Sequence, residues 1–207
     1  MGERHGIVHF KGSICKLQSG KNIRGNTLER NLELEGFFAG VEKRAFRLAE
    51  ISTGNRDDAL DILQDAMCKL VDKYAKRNPD EWGPLFHTIL QRMIVDWYRR
   101  HAVRERFRGW FGSNHKDDES EDPIQNVKDV YGKTPELEVQ SDRRIAIIDR
   151  EIRELPLRQQ QAFLLRALEG FDVKQTARIM KCSDGSVKTH YSRAVHVLRE
   201  KLGDSCL

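Results

Sequence analysis

One stretch of the chain constrains the fold more than any other, because it cannot belong to a hydrophobic core. From residue 113 to residue 142 there are nine acidic residues against three lysines. Pro123, Gly132 and Pro135 interrupt the stretch, and its few apolar residues follow neither a helical nor a strand period. This composition is typical of a flexible, acidic linker. The 207 residues therefore divide into two parts, each of which must form its own small core.

Both parts carry apolar residues at helical spacing, and neither shows an alternating pattern of strand length. Asn55 is placed to cap a helix in the first part, and Pro156 ends a helix in the second. We therefore predict an all-α fold of two small helical domains joined by the linker. The predicted divisions are an N-terminal extension that is expected to be flexible (1–35), a first helical domain (36–111), the acidic linker (112–140) and a second helical domain (141–207).

Positive charge is concentrated on both sides of the acidic linker. Residues 86–110 contain six arginines against two acids, and residues 158–207 contain nine basic residues against five acidic ones. Two basic blocks on one tether indicate two nucleic-acid surfaces. The alternative is that each block is an ordinary solvated face.

Several classes of protein are not expected from this sequence. No apolar run approaches the eighteen or so residues of a membrane helix, and the N-terminus lacks the apolar core of a signal peptide, so we expect a cytoplasmic protein. The four cysteines Cys15, Cys68, Cys182 and Cys206 form no C-x-x-C pair and are expected to be free thiols without a metal. There is no Gly-rich phosphate loop and no nucleophile motif, so we expect neither an enzyme nor a cofactor.

The clearest local motif is a helix-turn-helix near the C-terminus. A helix over Val173–Met180 is followed by a short turn, and Ser183 is placed to cap the next helix. On that second helix Val187, Tyr191, Ala194 and Leu198 share one face and are expected in the core. The opposite face is expected to contact DNA through Lys188, Thr189, His190, Ser192 and Arg193. An ordinary helical hairpin, or a response-regulator output domain, would show a similar pattern.

Three further motifs carry a family resemblance. Residues 59–70 (Ala-Leu-Asp-Ile-Leu-Gln-Asp-Ala-Met-Cys-Lys-Leu) resemble region 2.2 of bacterial sigma factors. Residues 89–100 (Ile-Leu-Gln-Arg-Met-Ile-Val-Asp-Trp-Tyr-Arg-Arg) resemble regions 2.3 and 2.4. Residues 155–165 (Leu-Pro-Leu-Arg-Gln-Gln-Gln-Ala-Phe-Leu-Leu) are similar to region 4.1, which precedes the helix-turn-helix of region 4.2. The order of the motifs, with a linker too short for a region 3 domain, is typical of the extracytoplasmic-function group of the sigma-70 family.

The resemblance implies a protein that directs core RNA polymerase to promoters and assists promoter melting, without catalysing a reaction alone. Its implied partners are core RNA polymerase, promoter DNA (duplex at −35, melted at −10) and an anti-sigma factor. The residues implied in polymerase binding are Asp61, Gln64, Asp65 and Lys69. Those implied in −10 binding are Arg92, Asp96, Arg99, Arg100 and Arg104, and the helix-turn-helix residues named above would bind the −35 element.

Some points stay open at the level of sequence. Arg92 stands where the family usually has Asn, which leaves the −10 base preference undetermined. Trp97 and Tyr98 could hold unstacked bases or belong to the core, and Trp82 could supply a ring of the −10 site. The acidic linker could mimic RNA or act only as a tether. The alternative function is a helix-turn-helix regulator that binds an operator without core polymerase.

Overall fold

The structure is a computed structural model that describes residues 24–112 and 140–203, with side chains for 28–103 and 144–203. The helices are α1 (Arg24–Thr53), α2 (Arg56–Tyr74), α3 (Pro79–Gly112), α4 (Gln140–Arg153), α5 (Leu157–Phe163), a π-helical segment that continues α5 (Leu164–Leu168), α6 (Val173–Met180) and α7 (Asp184–Leu202). The predicted all-α fold is confirmed for this part of the chain. None of the described helices is both long and apolar enough to cross a bilayer.

The first half packs α1, α2 and α3 around one core. Asn55 caps α2, since its Oδ1 accepts hydrogen bonds from the backbone N–H groups of Asp57 (2.8 Å) and Asp58 (3.0 Å). These two acids also lie at the positive end of the helix dipole. The buried face of α2 consists of Ala59, Ile62, Leu63, Ala66, Met67 and Leu70. The three-to-four spacing in the sequence therefore corresponds to the packed face.

The start of α1 differs from the sequence prediction. The helix begins at Arg24, inside the segment expected to be a flexible extension. Leu34 is buried with Phe38, one turn later, and the guanidinium of Arg30 lies 5.5 Å from the ring centroid of Trp82. Residues 24–35 are thus part of the first helix, because its apolar contacts begin before the dense periodic pattern does. Residues 1–23 lie outside the described part of the chain.

The second half contains the helix-turn-helix at the predicted place. Asp172 forms a capping box with Gln175 at the start of α6, which spans the predicted Val173–Met180. Lys181 turns the chain with φ 54° and ψ 50°, in the left-handed region. The Oγ of Ser183 then accepts from the backbone N–H of Ser186 at 3.1 Å and caps α7. The turn and both caps follow from local residue chemistry.

The two halves lie in contact, a point on which the prediction of two bundles joined by a flexible linker was silent. Helix α3 packs against α6, and α1 packs against α4 and the π-helical segment. Two of these contacts are polar and buried: Gln161 Nε2 donates to Gln91 Oε1 at 2.9 Å, and the Tyr98 hydroxyl donates to Gln160 Oε1 at 3.4 Å. Apolar periodicity cannot reveal such pairs. The linker residues 113–139 lie outside the described residues.

Candidate nucleic-acid interface

The exposed face of α7 carries the residues that the sequence assigned to duplex DNA. Lys188, Thr189, Ser192 and Arg193 are exposed, and His190 is partly buried. On the opposite side Val187, Ala194 and Leu198 are completely buried. Tyr191, which was expected in this core, is only partly buried. Its ring stacks on Phe163 with centroids 6.2 Å apart, and the guanidinium of Arg166 lies 5.5 Å from its centroid.

The surroundings affect two side chains on this face: one is already hydrogen-bonded within the helix, and the other has a shifted pKa. The hydroxyl of Thr189 donates to the Gly185 carbonyl at 3.0 Å, so it must exchange that bond to donate to a base. Partial burial lowers the pKa of His190, and the nearby charges of Arg158 and Arg193 lower it further. The imidazole is therefore mainly neutral at pH 7 and offers one donor and one acceptor.

Three basic residues of the helix-turn-helix were missed in the sequence prediction. Lys174 and Arg178 on α6 and Lys181 in the turn line a groove of about 530 Å³ between the two helices, with Asp184 as its acidic member. Lys174 and Arg178 are four residues apart and exposed on one side of α6. That four-residue spacing is the signal in the sequence that could have placed both cations beside the second helix.

The basic face of α3 presents Arg92, Asp96, Arg99 and Arg100 to solvent. The Nη1 of Arg99 lies 3.9 Å from Asp96 Oδ1, and Arg100 Nε donates to the Asp96 carbonyl at 3.3 Å. Exposed pairs of this kind contribute little to stability, so the arginines are available for other anions. Arg104 lies on α3 as well, but its side chain is outside the described residues.

Part of this face borders a cleft between the two halves. The cleft has a volume of about 210 Å³. Arg92, Asp96 and Arg99 line it from α3, and Arg158 and Lys181 line it from the second half. Four cations and one carboxylate therefore share a narrow space to which both halves contribute. Neither the cleft nor the contribution of Arg158 was expected from the sequence.

Comparisons with known proteins identify related sequences. The family described as "Sigma-70, region 4" matches residues 145–196, which include the helix-turn-helix. RNA polymerase sigma factor SigV of Bacillus subtilis is 28% identical over 158 residues, which are 76% of this chain and 83% of that protein. The ECF RNA polymerase sigma-E factor of Haemophilus influenzae is 28% identical over 152 residues, 72% of this chain and 76% of that protein. The chain belongs to the extracytoplasmic-function sigma factors.

A solved structure shows the same fold for a sigma factor. It is the sigma factor RpoE in complex with the anti-sigma factor NepR from Bartonella quintana, with a TM-score of 0.54 and 24% identity. The likeness covers 88% of this chain and 99% of that one, so it includes both helical halves.

The predicted polymerase-binding residues of this sigma factor lie on one exposed stripe. Asp61, Gln64, Asp65 and Lys69 are all exposed on α2, opposite its buried face. Cys68 lies among them as a free thiol, and Cys182 is also free. Burial raises the pKa of Cys68, and the charges of Asp72 and Asp65 raise it further, so the thiol stays protonated at neutral pH. Cys15 and Cys206 lie outside the described residues.

The aromatic residues near the basic helix of the sigma factor are in the core. Trp97 and Tyr98 are 6% and 9% exposed, and Trp97 stacks on the ring of His101 with centroids 3.9 Å apart. Trp82 is buried, and its Nε1 donates to the Tyr74 carbonyl at 3.1 Å. Packing within the chain covers all three rings, which agrees with the alternative that Trp97 belongs to the core. The exposed groups on this part of α3 are its polar side chains.

Proposed function

We propose that this sigma factor binds core RNA polymerase, directs it to promoters and assists the opening of promoter DNA. One observation carries the proposal. The region matched as sigma-70 region 4 contains a complete helix-turn-helix, and the exposed face of its second helix is basic. A basic exposed face on such a helix is suited to the major groove.

The second half is assigned to the −35 element in duplex form. Lys188 and Arg193 extend from the exposed face of α7, where either can donate to a guanine edge or a phosphate. His190 and Ser192 lie beside them as neutral donors and acceptors. Lys174 and Arg178 on α6 are placed to contact the flanking phosphates, since the first helix of the motif crosses the DNA backbone.

The first half is assigned to the −10 element and to core polymerase. Arg92, Arg99 and Arg100 supply positive charge that is suited to a single strand without regard to its sequence. Arg104 is assigned to the same surface from its place on α3. The exposed stripe on α2, with Asp61 and Asp65 as its acidic members, is assigned to polymerase.

Regulation by an anti-sigma factor is also proposed. The support is the structural neighbour, a sigma factor solved with the anti-sigma factor NepR. Because the proposed function requires polymerase and genomic DNA, we expect the protein to act in the bacterial cytoplasm. It acts by binding and catalyses no reaction of its own.

The α2 stripe provides a direct test. Asp61→Lys/Asp65→Lys should weaken binding of the full-length chain to core polymerase roughly tenfold or more, since reversed charges at an interface repel their former partners. The measurement is a native pull-down with core enzyme, followed by run-off transcription from genomic fragments. Glu29→Lys/Glu35→Lys makes the same change in charge on the exposed side of α1 and should bind as wild type does.

The same experiment separates the operator-binding alternative. A regulator that binds DNA without polymerase would give no pull-down with the wild-type chain and would protect DNA alone. If the stripe variant binds core polymerase as tightly as the α1 control does, the assignment of α2 is wrong.

A further inference from the structure

The contact between the two halves buries an ionisable pair that the proposed function does not use. His87 on α3 and Glu169, in the turn before α6, bring Nε2 and Oε2 to 3.4 Å, and each side chain is 2% exposed. The ring of His87 packs edge-on against Phe171, with centroids 4.8 Å apart. The Nε of Arg44 on α1 lies 3.6 Å from Glu169 Oε2. Groups from both halves thus meet at one buried point.

The buried pair does not have all the hydrogen bonds that its polar atoms could make. Within the described residues, His87 Nδ1 and Glu169 Oε1 are buried and have no hydrogen-bond partner. Water would satisfy both atoms if the halves separated, so their burial works against the contact. A buried charged pair is costly as well, which favours the neutral forms of both groups. The buried pair therefore lowers the stability of the contact between the halves and makes its opening easier.

We propose that His87 and Glu169 form a proton-coupled contact between the halves, here called the latch. When the halves close, one proton moves from the imidazole of His87 to the carboxylate of Glu169. One N–H bond breaks and one O–H bond forms, and the imidazolium and carboxylate of the open state become a neutral buried pair. We infer further that the closed state withholds the α3 face from promoter DNA. This second part rests on the proposed function, because it concerns the surface assigned to the −10 element.

The protonation of the two groups agrees with such a transfer. Burial lowers the pKa of His87 from 6.5 to about 4, and the charge of Arg44 acts in the same direction. Burial raises the pKa of Glu169 from 4.5 to about 7, and Arg44 partly opposes this. Arg44 is the charge that acts on both groups, whereas the guanidinium of Arg166 in the same segment donates to the Phe171 carbonyl at 2.8 Å. Between pH 4.5 and 6.5 the proton belongs on the imidazole in the open state and on the carboxyl in the closed state.

The two shifts have opposite consequences for closure. The raised pKa of Glu169 favours the closed state fully below pH 4.5, and this contribution is lost as the pH rises through 7. The lowered pKa of His87 favours the closed state above pH 6.5, and this contribution is lost as the pH falls toward 4. Because the shifts are of similar size, closing takes up almost no net proton. Wild-type closure should therefore depend little on pH.

The cleft explains how the closed state would restrict the access of DNA to part of the α3 face. Arg92 and Arg99 on α3 face Ile179 and Met180 of α6 across a space of only about 210 Å³. Both side chains are exposed on their outer side, and the side that faces α6 becomes accessible to a DNA strand when α6 moves away. Opening of the latch would permit that movement.

Removing one partner at a time tests the proton transfer. We would place spin labels on α2 and α7 of the full chain, with its four cysteines replaced, and measure the closed-to-open ratio against pH. Glu169→Gln leaves His87 to titrate, so the ratio should fall about twentyfold from pH 7 to pH 5. His87→Gln leaves Glu169 to titrate, so the ratio should fall about tenfold from pH 6 to pH 8. The wild-type ratio should vary less than about threefold from pH 5 to pH 8.

The chain contains a matched control pair. His196 Nε2 and Glu200 Oε1 lie 3.5 Å apart on α7, with side chains 74% and 67% exposed. His196→Gln and Glu200→Gln should leave the pH response as in wild type. If both single variants of the buried pair respond to pH as weakly as these controls do, the latch does not exist.

An apolar replacement tests the effect on DNA. His87→Phe/Glu169→Leu removes both buried polar groups, so the closed-to-open ratio should rise several-fold, and promoter opening by the holoenzyme should slow by a similar factor. A raised ratio with an unchanged rate of opening would overturn the claim that the closed state withholds α3. If wild-type protein supports no polymerase-dependent transcription, the proposed function fails, whereas the distance measurement still decides the latch.

Discussion

The two surfaces of this sigma factor that are proposed to bind DNA differ in what surrounds them. The face of α7 with Lys188 and Arg193 is exposed, and the core beneath it, including Leu198, belongs to the second half. The face of α3 with Arg92 and Arg99 forms one wall of a cleft whose other wall is the second half. The closed molecule therefore offers the surface assigned to duplex DNA, while the surface assigned to a single strand is partly enclosed.

This difference matches the order in which the two forms of DNA become available. Duplex DNA is present before any opening, whereas an unstacked base costs a few kcal/mol to produce. A surface for duplex can remain exposed at all times, but a surface for melted DNA is needed only after the first contact. Under the proposed assignment, the two surfaces therefore differ in accessibility as well as in residue type.

The largest expected effect comes from the core beneath α7. Leu198 is completely buried, so Leu198→Ala should destabilise the second half by about 2–5 kcal/mol. Because α6 packs against α3, loosening this half should also expose α3. Hydrogen exchange should then show reduced protection in both α7 and the middle of α3. Reduced protection in α7 alone would mean that the two halves do not depend on each other.

An intermediate effect is expected on the exposed face of α7. Lys188→Ala and Arg193→Ala should each weaken binding to the −35 element by about 1–3 kcal/mol where the side chain contacts a base. Neither belongs to the buried face, so thermal unfolding should be unchanged. Footprinting of the holoenzyme on promoter variants is the measurement, and Lys73→Ala on α2 removes an exposed lysine from the other half as a control. If both α7 variants protect the −35 element as wild type does, α7 does not recognise this element.

The smallest effect is expected for the arginines of α3. Arg99→Ala/Arg100→Ala should reduce the slope of log affinity against log salt by about 1 for each phosphate that the variant no longer binds. The loss in promoter opening should be greater on fully paired DNA than on a template with a mismatched −10 bubble, which is already open. The comparison requires holoenzyme affinity and opening rates on both templates. Equal binding of the wild-type holoenzyme to the two templates would contradict a melting role.

The sequence was sufficient for features that depend on neighbours along the chain. Asn55 and Ser183 cap the helices as predicted, and the exposed stripe of α2 follows from the spacing of its apolar residues. Contacts between the halves could not be foreseen in this way. The hydrogen bond from Gln161 to Gln91 joins residues 70 positions apart, and a buried glutamine has no periodic signature. The same holds for His87 and Glu169, which look like ordinary surface residues until their partners are known.

The turn of the helix-turn-helix has a consequence for the balance between stability and activity. Lys181 occupies the left-handed backbone region, which costs a residue with a Cβ about 1 kcal/mol and which glycine adopts freely. Glycine at that position would relieve the strain but would also remove a cation from the cleft and from the groove beside α6. Lys181 thus combines a small cost in stability with a positive charge at the edge of both the cleft and the groove.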